Sequence, residues 1–314
     1  MPLSPRPLTW RDLPLIHRYR GQAVCLRSHD AVTGQESMIA HALAALLTAK
    51  AGAVDPAPPL PLLALAGQTS PEGVAWLCYL APEAALNADT PLTGLIEVLL
   101  RHPALAGIRA LLAEAPLNAP WLTALRQSGL RVFAHRRLWQ IPPSKHTSAP
   151  GQWRWPRAEE RWQADRLYAN LTPPTTRRLL PSPANTPTAM VYIEEGEVCG
   201  LATWEGGPRG LWAAVWLDPN IALPHRTLAA LAAFLHPGRK ALFFAIHDTQ
   251  SWLEGSLKTL NAQPGIHTAL LARWTVAFQP ETHPKPVAAG EVTPAFFAHL
   301  QRSLPPETPL AKEV

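Results

Sequence analysis

An internal repeat limits what this chain can fold into. Residues 73–82 read GVAWLCYLAP and residues 210–219 read GLWAAVWLDP, two apolar runs that each open on glycine and close on proline. Gly210 follows Gly73 by 137 residues, Trp252 follows Trp121 by 131, and Trp274 follows Trp139 by 135. Spacing that is nearly constant, with a small drift, is what a duplicated unit leaves when insertions gather in its loops. The 314 residues suit two such units, at about 150 residues each.

The second copy gives the order of elements most plainly. Residues 190–193, 198–204 and 211–217 (LWAAVWL) read as an antiparallel meander, with turns at 194–196 and 205–210. Residues 227–235 have helical composition, 241–246 (ALFFAI) form a bounded apolar strand, 251–260 a second helix and 268–278 a closing strand. A helix over 161–171 precedes them and is stopped by Thr172-Pro173-Pro174. The first copy repeats this order. Residues 6–20 give an extended piece and a helix that Asp12 can cap, with Pro14 in its first turn. Residues 39–47 are helical, residues 55–61 break that helix, and 60–66 pairs with 74–80. A helix at 92–100, a strand at 108–114, a helix at 120–128 ended by Gly129 and a strand at 131–141 complete the unit.

The fold class expected is therefore α/β of the α+β type, with two tandem units, each a mixed, mostly antiparallel sheet flanked by helices. The first unit spans 1–142, a Pro- and Ser-rich linker 143–152, the second unit 153–279, and an extension with a helix at 293–303 fills 280–314. An antiparallel sheet that turns parallel across one helical crossover splays where that helix begins. A helix N-terminus beside a splayed strand end suits a phosphate-bearing ligand, because its N–H groups and dipole favour an anion.

A hydrophobic share of 47% against 16% charged residues fits a globular protein with sizeable cores. Cys25, Cys78 and Cys199 are too few and scattered for a disulfide framework or a zinc site, and fit small buried hydrophobes in a reducing compartment. The N-terminal MPLSPRPLTW lacks the apolar core of a signal peptide. No run reaches the ~18 apolar residues of a membrane span, so a soluble cytoplasmic protein is expected. The net charge of +5 invites a nucleic-acid reading. Residues 1–150 hold 13 basic and 9 acidic side chains and residues 151–314 hold 15 and 14, with no basic run longer than Arg136-Arg137, so a solvated surface accounts for it better. The 12 tryptophans fit core and inter-unit packing better than a platform for bases. No G-x-S-x-G or H-E-x-x-H occurs, so neither a serine triad nor a metal is expected.

Three segments carry a family resemblance. Residues 6–16 (RPLTWRDLPLI), residues 118–130 (Asn118 through Gly129-Leu130) and Leu217-Asp218-Pro219 resemble the opening, the late "N-x(10)-G-F" segment and the fourth-strand end of the GNAT N-acetyltransferases. The resemblance covers about 1–142 and 153–279. It implies transfer of an acyl group from acetyl-CoA, or another acyl-CoA, to a small-molecule or peptide amine, by a monomer or homodimer. It places the cofactor at Leu217 and Asp218 and along the following loop. The family's glycine loop, "[QR]-x-x-G-x-[GA]", is replaced after Pro219 by Asn220-Ile221-Ala222-Leu223-Pro224-His225-Arg226 and after Pro82 by a stretch whose first glycine is Gly94. His225 and Arg226 either grip a phosphate by charge or form a solvated first turn, the commoner fate of such residues. The family's acidic tyrosine aligns with Leu125 in one copy and Ser256 in the other. His247 at a strand end is a candidate base, with Asp248 beside it as partner or as helix cap. Two functions follow: an acyl-CoA-dependent N-acyltransferase, or an inactive GNAT-like scaffold that binds a metabolite or a partner.

Overall fold

The structure, a computed structural model, describes residues 4–34, 37–47, 49–57, 60–70, 73–142, 151–235 and 240–275. The first half contributes strands β1 (Arg6–Pro7), β2 (Val24–Cys25), β3 (Ala51–Asp55), β4 (Leu62–Ser70), β5 (Val74–Ala81), β6 (Ala110–Pro116) and β7 (Arg131–Ile141). The second contributes β8 (Gln152–Arg154), β9 (Ala189–Glu194), β10 (Glu197–Gly206), β11 (Gly210–Leu217), β12 (Ala241–His247) and β13 (Gln263–Trp274). Among the described residues all of these join one sheet, in the order β1-β3-β4-β5-β6-β13-β7-β12-β11-β10-β9-β8, with β2 added against β5.

That order contains an exchange. In each half an antiparallel run, β1-β3-β4-β5 or β8-β9-β10-β11, is followed by one parallel neighbour, β6 beside β5 and β12 beside β11. The last strand then crosses over: β7 pairs with β12 of the second half, and β13 with β6 of the first. β7 and β13 pair with each other, antiparallel, at the centre. The mixed, mostly antiparallel sheet and the parallel crossovers agree with the sequence. The boundary expected at 143–152 falls between β7 and β8, and the described residues on its two sides share one sheet through this exchange. Of the expected linker, 143–150 lies outside the described residues, as do the extension 280–314 and its helix at 293–303.

β5 and β11 are buried at every position, so they lack the alternation of a half-exposed strand. Helices cover both their faces. On one face α4 (Leu92–Leu100) presents Leu92, Leu95, Ile96 and Leu99 to Ala75 and Leu77 of β5, the spacing of one helix face. Beside α4, α5 (Leu122–Gln127) adds Ala124 and Leu125, and further along that face α8 (Pro224–Leu235) and α9 (Glu254–Thr259) pack Leu228, Leu231 and Leu257 against Phe244 and Ile246. On the other face lie α1 (Leu13–Tyr19), α3 (Met38–Leu46) and Leu179 of α7 (Pro174–Leu179) over the first half, α6 (Ala158–Leu171) over the second, and α2 (Ser28–Thr33) at the seam, where it reaches β11. Asp12 stands at the N-cap position of α1, but its side chain bonds none of that helix's N–H groups, so the expected cap is corrected. Its carboxylate accepts the Thr9 N–H at 2.8 Å and an Arg6 guanidinium bond at 2.6 Å.

The sequence missed β3 and α2. Ala-Gly-Ala-Val-Asp carries little strand propensity, and β3 exists because β4 pairs with it. The reading of 251–260 as a single helix is corrected. A 3-10 turn covers Asp248–Leu253, with Gln250 at φ −117°, ψ 27°, and only Glu254–Thr259 is α-helical. No helix among the described residues is long and apolar enough to cross a membrane.

The exchange predicts that a chain cut at a protease site inserted within 143–150 stays together. Its fragments are expected to co-elute as one particle on gel filtration under native conditions. Separate elution of the two fragments would contradict the interleaved sheet.

Candidate functional site

The seam between the halves is held by a buried acid. Glu114 on β6 is 2% exposed, and its carboxylate takes four donors from three other elements. Arg136 Nε on β7 donates to Oε1 at 2.8 Å and Arg136 Nη2 to Oε2; Thr268 Oγ1 on β13 donates to Oε1 at 2.6 Å, and the Ser28 N–H at the start of α2 to Oε2 at 2.7 Å. Burial by itself would raise the Glu114 pKa. The Arg136 charge and these hydrogen bonds outweigh it and bring the pKa down to about 2.

Above this cluster α2, β10, β11 and α6 enclose a chamber of about 170 Å³. His29 is its polar centre. Its Nδ1 lies 2.9 Å from Asp30 Oδ1 and its Nε2 2.7 Å from Glu205 Oε2 on β10, so α2 of one half is bridged to the sheet of the other. Burial opposes charge on the ring, but a carboxylate at each nitrogen prevails and the His29 pKa is raised. Arg27 pairs with Asp30 at 3.1 Å and lies over the Trp76 ring at 5.5 Å, while Arg136 lies over Trp212 at 5.4 Å. Tyr168 meets Trp216 edge-on at 5.2 Å, and Trp216 stacks on His247 at 6.2 Å. Arg27, Arg136 and the His29 ring, whose charged form is favoured over that of a free imidazole, are thereby set against three carboxylates (Asp30, Glu114, Glu205) around aromatic walls. None of this constellation except His247 was singled out from sequence as a site; the available signal was a lone charge, Glu114, at the end of an apolar strand.

The residues expected to act do not converge. His247 ends β12 and lines the chamber, but burial, aided by the Arg136 charge, pushes its pKa down to about 3, so the ring stays neutral. A base that weak is poorly matched to an ammonium proton. Asp248 lines a further small cavity together with His247, but its carboxylate is engaged elsewhere, 3.2 Å from His267 Nε2 and 4.0 Å from His135 Nδ1, and it caps no helix. Ser256 lies on α9, which packs on the opposite face of the sheet from His247. Leu217 is buried at the end of β11. Asp218 closes a turn, accepting the Asn220 N–H at 2.8 Å and Asn220 Nδ2 at 3.0 Å. His225 is half-buried and Arg226 exposed on the first turn of α8. Among the described residues, no group of three or more His, Cys, Asp or Glu could hold a metal ion.

Both strand splays exist, and both are filled from within. β11 and β12 pair from Gly210 with Ala241 to Ala214 with Ala245 and then diverge. The fully buried Gln250 side chain enters there: its Oε1 accepts the Leu217 N–H at 2.9 Å and its Nε2 donates to the Val215 carbonyl at 2.8 Å. In the first half β5 and β6 pair only from Val74 with Ala110 to Trp76 with Leu112. Leu26 enters that gap, its N–H bonding the Cys78 carbonyl at 2.8 Å and its carbonyl accepting the Glu114 N–H at 2.9 Å. At the head of α8, Pro224 has no N–H, and the N–H groups of Arg226 and Thr227 both bond the Leu223 carbonyl. At these places the Leu217, Arg226, Thr227 and Glu114 N–H groups and the Val215 and Cys78 carbonyls already have partners, and Leu217, Asp218, His225 and Arg226 do not form a cradle that fits an acyl-CoA.

Against solved structures, the chain superposes on a GCN5-related N-acetyltransferase from Sphaerobacter thermophilus with a TM-score of 0.52, over 86% of this chain and 95% of that one, at 15% identity. The fold is that of the GNAT N-acetyltransferases. A GNAT protein from Kribbella flavida (16% identity, TM-score 0.46, 68% of this chain and 86% of that one) is also similar. So is a tandem GNAT protein from the clavulanic acid biosynthesis pathway, at 11% identity and TM-score 0.45, over 88% of this chain and 99% of that one. No protein-family model and no curated protein matches the sequence. These identities make the GNAT likeness one of fold alone.

Two expectations follow. Replacing Glu114 by Ala strands the Arg136 charge and is expected to cost about 3–5 kcal/mol in urea unfolding at neutral pH. Because the folded pKa of Glu114 lies at about 2 against an ordinary 4.5, its contribution is full above pH 4.5 and is lost as pH falls from there towards 2. In Glu114→Gln that acid-sensitive component is absent. In imidazole NMR titrations His29 is expected to lose its proton above its ordinary value of 6.5, and His247 to gain one only near about 3. The His29 contribution to stability is complete below 6.5 and is lost as pH rises through its raised folded pKa.

Proposed function

We propose that this protein uses the GNAT fold to bind a small metabolite and does not transfer acetyl groups from acetyl-CoA. The observation that carries this reading is the closure of both splays, by the Gln250 amide in one half and the Leu26 backbone in the other. The ligand site is the chamber. It lies towards the carboxyl ends of β11 and β12, the end of a parallel strand pair where α/β proteins bind ligands. Its volume of about 170 Å³ suits a compact molecule, and its matched charges favour one with no net charge that presents an apolar body to Trp212 and Trp216.

The second reading is an acyl-CoA-dependent N-acyltransferase acting on an amine. It is favoured by the same placement, since an amine in the chamber would stand next to the β11–β12 splay. In that reading Gln250 would have to leave its two backbone partners to admit the cofactor.

Calorimetry with acetyl-CoA and desulfo-CoA, with ATP as control, separates the two. No heat is expected at millimolar ligand. Saturable binding selective for the CoA compounds would overturn the binding-protein reading, and an amine panel would then identify the acceptor.

A further inference from the structure

α2 has a second cavity on its other side. This one is about 440 Å³, within the range of small-molecule sites and separate from the chamber. Its walls are apolar: Ala31 and Val32 from α2, Leu138 from β7, Phe243 from β12, and Pro116 and Ile266 from the strands of the exchange. Ile266 is 55% exposed, so apolar surface continues to the mouth. The polar groups at the floor are already matched, because Glu114 is held by Arg136, Thr268 and Ser28. Cys25 is a neutral thiol there, its pKa pushed up by burial to about 11.

One charge at this cavity has no counterpart among the described residues. Arg209 lines it, is exposed, and pairs with no carboxylate among the described residues. Its position is nonetheless built. The Arg209 N–H donates to the Thr33 carbonyl at 3.1 Å, which ties it to the end of α2. Its side chain runs over Gly34, where φ is +64° and an added Cβ would come within 2.8 Å of Arg209 Cδ. Glycine is required there twice over, for the left-handed backbone that ends α2 and for the passage of the arginine stem.

We propose that this cavity binds an amphipathic carboxylate, its apolar body between α2 and the strands β7 and β12 and its carboxylate on the Arg209 guanidinium. Guanidinium and carboxylate match in charge and in fork geometry. The apolar walls supply affinity by area, and Arg209 supplies the choice of head group. Among the described residues none lines both this cavity and the chamber, so the two ligands would not share a contact.

The test uses the full chain and sodium decanoate as probe, below its micelle concentration, with 1-decanol and decyltrimethylammonium as head-group controls. Calorimetry is expected to give saturable binding of decanoate, weaker binding of decanol and weakest binding of the cation. Arg209→Gln changes an exposed side chain and is expected to fold normally by circular dichroism. It should weaken decanoate by about tenfold, the scale of one charge-assisted contact at a solvent-facing rim, while leaving decanol unchanged. Ala31→Trp fills the cavity and is expected to abolish both. Absence of decanoate binding to the parent chain, equal decanoate affinity in Arg209→Gln, or preference for the cation would each overturn the proposal. If Ala31→Trp fails to fold, the Arg209→Gln comparison decides alone.

Discussion

The seam of this protein depends on one buried ion pair. Glu114 and Arg136 sit where β6, β7, β13 and the start of α2 meet, and the carboxylate has a donor for each of its lone pairs. A buried pair of this kind adds little stability over apolar side chains of the same size, since desolvation offsets most of the attraction. Its effect is on which arrangement forms. Slipping β13 by one residue against β6 would turn Thr268 to the opposite face and leave Glu114 short of a donor in a dry interior. The ion pair therefore fixes the register of the exchanged strand, and α2, held by its Ser28 N–H, is placed by the same carboxylate.

Most of the sheet was legible in the sequence because its strands are apolar runs of ordinary length between turn residues. β5 and β11 match their expected bounds within a residue, and the helical crossovers to β6 and β12 follow from the repeat. The exchange of β7 and β13 was not legible. Each copy's last strand has the same pattern whichever sheet receives it, and a run of alternating side chains carries no address. α2 was missed for a different reason. Six polar and small residues, Ser-His-Asp-Ala-Val-Thr, have weak helical propensity, and the helix is held by its position over β11 and by His29 bridging to Glu205.

The sites divide along the same line. Leu217, Asp218, His225 and Arg226 were reached through a resemblance that locates a loop, but the groups that decide whether a ligand enters are backbone N–H and C=O, which have no signature in sequence. Whether a glutamine such as Gln250 faces solvent or fills a gap between strands depends on a 3-10 turn that the helical pattern of 251–260 concealed. Arg209 was passed over as one residue of a hairpin turn; its significance appears only beside Phe243 and Ile266.

The exchange also orders events in time. During synthesis β6 emerges long before its neighbour β13, which closes the described fold at Trp274. Until then β6, paired on one side with β5, presents its other edge, with apolar Ala110 to Ala113 and the Glu114 carboxylate, to whatever else is present. The next strand of the chain to emerge is β7, which could take that edge before β13 exists. The finished molecule therefore calls for the late insertion of β13 between two strands that were synthesised as neighbours, and the nascent chain must keep that gap open, or reopen it, until almost all of the described chain has left the ribosome.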